Sequence, residues 1–152
     1  MSLLFRRSAL ALSLGLALAV CSLAPPVEAA RPARPGPLQL TAENVVPGPG
    51  DFGALVEGKI GFGREACFEF VVTAPLAGVI TRIAIHEGAA GFEGPEVVAL
   101  NPMRPGIMGL NGCVPIDREL GRQISRNKAG YYVVVKTTAY PNGAVRAQLA
   151  NR

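Results

Sequence analysis

The stretch from Tyr131 to Leu149 constrains this 152-residue chain more than any other. It reads Tyr131-Tyr-Val-Val-Val-Lys-Thr-Thr-Ala-Tyr-Pro-Asn-Gly-Ala-Val-Arg-Ala-Gln-Leu149. Val133, Val134 and Val135 are β-branched and suit a pleated backbone. Asn142-Gly143 supplies residues tolerant of the positive φ that a tight hairpin demands. Beyond it, Val145, Ala147 and Leu149 point one way and Ala144, Arg146 and Gln148 the other. A strand, a turn and an alternating strand predict an all-β fold.

The first 29 residues carry a different signal. Arg6 and Arg7 precede an apolar run from Ala9 to Leu18 that continues to Leu23, and Val27-Glu28-Ala29 offers small residues suited to leader cleavage. The run is short for a membrane span, and Pro25-Pro26 breaks a helix immediately after it. Residues 1–29 are therefore expected to be a signal peptide. Cys21 also raises a lipidation site, although Val20 is bulky for the position before it. Residues 30–37, rich in Arg and Pro, form a stiff tether. Residues 38–152 are then a single domain, and its home is the periplasm or the medium outside the cell.

Five more strands are expected within that domain: 38–42, 54–62, 67–73, 79–86 and 96–100. In the third, Phe68, Phe70 and Val72 share a face. In the fourth, Val79, Thr81, Ile83 and Ile85 oppose Ile80, Arg82, Ala84 and His86. Residues 101–111, rich in Pro, Gly and Met, predict a loop. One helix should start at Asp117, a good N-cap, and stop near Lys128 before Gly130. Ile116, Leu120 and Ile124 recur on its inner face, while Arg118, Arg122 and Arg126 face solvent. That basic stripe fits an anionic envelope polymer or, more simply, a solvated helix face. Seven strands and one late helix predict an antiparallel Greek-key β-sandwich or barrel, the helix preceding the C-terminal hairpin.

Cys67 and Cys113 remain after leader removal. An even pair in an exported chain is most simply a disulfide, with two buried free thiols as the alternative. No CxxC or Cys/His spacing marks a metal pair.

Catalytic signals are sparse. His86 is the single histidine, and no Gly-x-Ser-x-Gly elbow accompanies it. A metal centre at His86 would need Glu87, Glu93, Glu96 or Asp117 to complete it. The glycine-rich run from Gly88 to Gly94 lacks the strand-to-helix context of a phosphate cradle and reads as a tight inter-strand turn. Tryptophan is absent, so no such sugar platform exists. The net charge of +4 comes without the clustered Lys/Arg and interleaved aromatics of a nucleic-acid face.

Together these residues resemble a known family. Ile83-Ala-Ile-His86 with Glu87-Gly-Ala-Ala-Gly-Phe-Glu-Gly-Pro95 resembles the A-H-I-H-x-G-x-x-G-x-x-G-P segment of the chordin-type (CHRD) domain. Tyr131-Tyr-Val-Val-Val-Lys-Thr137 resembles its Y-Y-V-N-V-H-T strand, and the segment from Pro141 to Leu149 its P-x-G-E-I-R-G-Q-L ending. Gly112-Cys113-Val-Pro-Ile-Asp117 is similar to bacterial members, in which a cysteine on the third strand is matched by one before the helix. The resemblance covers residues 38–149. It implies an exported all-β domain, found in chordin-like growth-factor antagonists and in bacterial proteins, with no established enzymatic activity in the latter. It also places Arg146 and Gln148 at positions where the family carries Arg and Gln. Departures are Ala84 and Lys136, where the family has histidines, and Val134, where it has asparagine. A polar cluster on neighbouring strands is thereby mostly lost.

The sequence therefore predicts an exported, non-enzymatic binding or structural module without a cofactor, its partner a protein or envelope polymer. The rival is a metal-dependent protein or enzyme using His86 with nearby carboxylates. Arg146 is expected either to sit on a solvated edge or to pin the last strand to a loop through charge-assisted hydrogen bonds.

Overall fold

The computed structural model describes residues 37–100 and 110–150. The expected leader (1–29), Cys21, all but the last residue of the tether and most of the 101–111 loop lie outside the described residues.

The strands are β1 (Leu38–Leu40), β2 (Leu55–Phe62), β3 (Glu65–Ala74), β4 (Ile80–Glu87), β5 (Glu96–Ala99) and β6 (Asn111–Pro115). Helix α1 (Arg118–Arg126) follows, then β7 (Tyr131–Thr137) and β8 (Val145–Gln148). Every pairing is antiparallel. One sheet runs β1-β2-β3-β6 and the other β5-β4-β7-β8, so the all-β sandwich is observed. The β4–β5 hairpin of one sheet is inserted in sequence between β3 and β6, which pair in the other. This is a Greek-key style of connection. The sheets also meet at one corner, where Thr41 and Arg146 exchange backbone hydrogen bonds of 3.1 and 3.0 Å.

The core lies between the sheets. Leu40, Val56, Phe70, Ile83, Ile85, Val133, Val135 and Val145 meet there, and Ile124 of α1 closes one side. Alternation selects these residues, because successive side chains on a strand face opposite ways. Asp117 caps α1 by accepting from the Glu119 and Leu120 amides at 2.8 and 3.1 Å. Gly121 lies close to the Gly63 carbonyl, and a methyl there would crowd it. The absent side chain lets the helix approach the β2–β3 turn.

Four local expectations are corrected. An eighth strand, β6, forms from residues that lack alternation, held by its pairing with β3. The register of β4 against β7 shifts between Ile80 and Arg82, so Ile80 packs on the core while Val79 and Thr81 are exposed. A bulge of this kind inverts the facing of every residue before it. Val72, expected to share the face of Phe68 and Phe70, is 39% exposed and outside the core. Finally, the β7–β8 link is a seven-residue loop, longer than the tight Pro-Asn-Gly turn expected. Gly143, with φ of 149°, donates to the Tyr140 carbonyl, and the Ala144 amide donates back to Val135 at 2.8 Å.

Candidate functional site

The polar residues singled out in the sequence gather on the outer face of the β5-β4-β7-β8 sheet. Cross-strand register sets His86 of β4 opposite Tyr132 of β7, and Tyr132 opposite Gln148 of β8. Arg146 lies one step along β8, opposite Val134. Because β7 runs between β4 and β8, imidazole and guanidinium approach the Tyr132 ring from opposite neighbouring strands. The His86 ring stacks on Tyr132 with centroids 5.2 Å apart and planes 18° from parallel. The Arg146 guanidinium carbon sits 3.4 Å from the Tyr132 centroid, a cation–π contact in a desolvated setting.

The glycine-rich segment from Gly88 to Pro95 folds over this stack and is tied down by it. Arg146 Nη2 donates to the carbonyls of Ala89 and Phe92, at 3.1 and 2.9 Å. Gln148 Nε2 donates to Gly88 and Ala129, both at 2.7 Å. His86 Nδ1 lies 2.9 Å from the Gly94 carbonyl, and the Tyr132 hydroxyl accepts from the Gly94 amide at 3.2 Å. A carbonyl only accepts, so His86 Nδ1 carries a proton and donates it to Gly94. A methyl group on Gly94 would land on the Glu87 carbonyl, so the close turn there needs glycine.

The inward-facing groups of this loop are mostly carbonyls, those of Gly88, Ala89, Phe92 and Gly94, with the Gly94 amide as the one donor named among them. A phosphate cradle requires the opposite polarity, with amides converging on the anion. The arrangement binds side-chain donors of its own chain.

Arg146 is 2% exposed and His86 8%. The solvated-edge alternative for Arg146 is therefore not what the structure has. Burial pulls the guanidinium below its ordinary pKa, opposed by Tyr132 and by Glu93. Among the described residues, two buried side-chain nitrogens have no hydrogen-bond partner, His86 Nε2 and Arg146 Nη1.

The carboxylates proposed to complete a metal centre do not converge on His86. Glu96 is opposite His86 in register, but its carboxylate is bound by Arg82, with Nε to Oε2 at 3.0 Å. The hydrogen bond from Arg82 holds the Glu96 carboxyl below the usual range, against partial desolvation. Asp117 is spent on the α1 cap. Among the described residues, the one group of three whose ligand atoms lie within 4.8 Å of one another is Glu65, Cys67 and Cys113. Cys67 and Cys113 are joined as a disulfide between directly opposed positions of β3 and β6, with Cα atoms 4.0 Å apart. Arg118, Arg122 and Arg126 are all exposed, and Arg122 pairs with Glu119 at 2.7 Å.

Sequence reasoning found His86, Arg146 and Gln148 but missed Tyr132, which organises them. The signal was present in register: Tyr132 shares a strand face with Val134 and Lys136, next to the face carrying His86.

The sequence model of the CHRD domain matches residues 37–149. The chain belongs to the CHRD domain family. No curated protein and no solved structure matches it.

Proposed function

We propose that this is an exported, non-enzymatic CHRD-domain module that binds a protein or an envelope polymer, or serves structurally, outside the cytoplasm. One observation carries the reading: the side chains best suited to chemistry, His86, Tyr132 and Arg146, are buried and direct their polar atoms at the Gly88–Pro95 loop. They hold a surface in shape. That surface presents Phe92, 69% exposed, and Glu93 beside it.

Export rests on the leader-like residues 1–29 and is consistent with the Cys67–Cys113 disulfide, a bond favoured in oxidising compartments. Among the described residues no helix is long and apolar enough to cross a membrane. In this reading the mature protein begins near Ala30, lies in the periplasm or the medium, and needs no cofactor and no nucleic acid.

The decisive experiment is elemental analysis of exported, oxidised, chelator-washed protein, with intact mass measured on the same sample. The expected result is a chain lacking about 29 residues and carrying no stoichiometric metal. Zinc or copper held at one equivalent, and lost in His86→Ala, would instead establish the metal-dependent alternative. Capture from envelope or culture-medium fractions, compared between wild type and Phe92→Ala, then identifies the partner and tests whether the loop surface binds it.

A further inference from the structure

Glu65 and Cys67 stand two residues apart on β3, so both side chains leave the same face of the sheet. Cys113 of β6 is directly opposite Cys67. All three are exposed, and one ligand atom from each lies within 4.8 Å of the others. On the other side of Cys67 the register partner is Gly61 of β2, where an added methyl would meet nothing. An open depression lined by Lys59, Gly61, Glu69, Asn111 and Gly112 therefore adjoins both sulfurs.

We propose that this chain, when its disulfide is reduced, binds one thiophilic divalent cation of the zinc or cadmium kind on Cys67, Cys113 and Glu65. Soft thiolates favour such ions over magnesium or calcium. Tetrahedral zinc with bonds of about 2.3 Å to sulfur holds two thiolates roughly 3.8 Å apart. Cys67 and Cys113 are directly opposed with Cα atoms 4.0 Å apart, so side-chain rotation alone reaches that spacing. The Glu65 carboxylate supplies a third ligand, and the fourth position opens on the depression, where water has access. Two thiolates and one carboxylate give the divalent site a net charge of −1, and at its border Lys59 is already paired with Glu69 at 2.9 Å, so that pair leaves the balance unchanged.

The chemistry has two balanced steps. A dithiol reductant attacks the exposed disulfide, the S–S bond takes up two electrons and two protons, and the reductant leaves as its own disulfide. The cation then displaces both thiol protons and forms two metal–sulfur bonds. In the oxidised protein no thiolate exists and the site is closed. The proposal is independent of the role assigned to the Gly88–Pro95 loop, which lies on the other sheet.

The test uses the full chain carrying Cys21→Ser, which leaves Cys67 and Cys113 as its sole cysteines. The protein is reduced with a phosphine, freed of reductant without oxygen and titrated with cadmium. Readouts are the ultraviolet thiolate-to-cadmium absorption and the elution volume. The proposal expects one cadmium per monomer in the reduced protein and none in the oxidised. Cys113→Ser should abolish binding. Glu65→Gln, an exposed change that leaves both strands intact, should weaken it by at least about tenfold. A reduced chain that unfolds, that binds nothing, or that binds only as a cadmium-bridged dimer overturns the proposal. Equal affinity in Glu65→Gln overturns the three-ligand site as well.

Discussion

Arg146 shows what one residue does when a loop closes over it. A guanidinium at 2% exposure has lost nearly all its water. Charge-assisted hydrogen bonds to Ala89 and Phe92 and the face of Tyr132 replace it. Nη1 keeps no partner, so the compensation is incomplete. Arg146→Leu removes both hydrogen bonds and the ring contact together and leaves the Ala89 and Phe92 carbonyls without this donor. The expected cost is about 1–3 kcal/mol, which in a domain of this size lowers the thermal midpoint by roughly 5–10 °C. Arg146→Lys keeps the charge but not the planar fork, and should fall between. Thermal melts followed by circular dichroism decide it, and an unchanged midpoint in Arg146→Leu rejects the pinning role. Alternation in the sequence placed Arg146 opposite Val145 and Ala147 but could not say whether it was wet or dry. Its cover comes from Tyr132 on the neighbouring strand and from Ala89 and Phe92, 57 and 54 positions away, and a two-residue periodicity carries no information about them.

Among the elements, α1 was the most legible and β6 the least. Asp117, Leu120 and Ile124 announce the helix through a cap and an inner stripe, and the structure ends it at Arg126, just short of the expected stop near Lys128. Lys128–Gly130 tighten into a 3-10 turn there. Asn111-Gly-Cys-Val-Pro115 has neither alternation nor a β-branched run, and Gly112 and Pro115 argue against a strand. It becomes one because β3 offers unpaired backbone groups and Cys67 anchors it. The helix cap is testable through pH. Hydrogen bonds from the Leu120 and Glu119 amides favour the charged carboxylate, so the Asp117 pKa is lowered on folding. A depressed folded pKa contributes stability that is present above the unfolded value and is lost as pH falls through the folded one. Asp117→Ala should therefore melt a few degrees lower at neutral pH, and the gap to wild type should narrow as the solution is acidified below the ordinary carboxylate range. Asp117→Asn keeps an acceptor at the cap and should recover most of the loss at neutral pH. A gap that stays constant down to strong acid would show that the charge contributes nothing at this helix end.

At the scale of the whole molecule, the disulfide joins more than two strands. Residues 67–113 leave the β1-β2-β3-β6 sheet, build the β4–β5 hairpin of the facing sheet and return to pair with β3. The 46-residue separation thus encloses one full crossing of the sandwich in each direction. Most of the pairing is long-range in sequence, as in β4 with β7, so the unfolded chain has many ways to fail to close. Restricting that ensemble stabilises the fold by about 4 kcal/mol on loop-entropy grounds, less whatever structure the reduced unfolded chain retains. The Cys67→Ala, Cys113→Ala double variant should accordingly keep its β-rich spectrum, because both sulfurs are exposed and neither fills the core. Its thermal midpoint should drop by about 10 °C or more. Its m-value in urea should rise, since an uncrosslinked unfolded chain exposes more surface. Non-reducing mass spectrometry of the wild type should find two hydrogens fewer than in the reduced form, with neither Cys67 nor Cys113 alkylated. A double variant that melts with the wild type would mean that β6 is held by its backbone ladder alone, and that the crossing of the two sheets closes without covalent help.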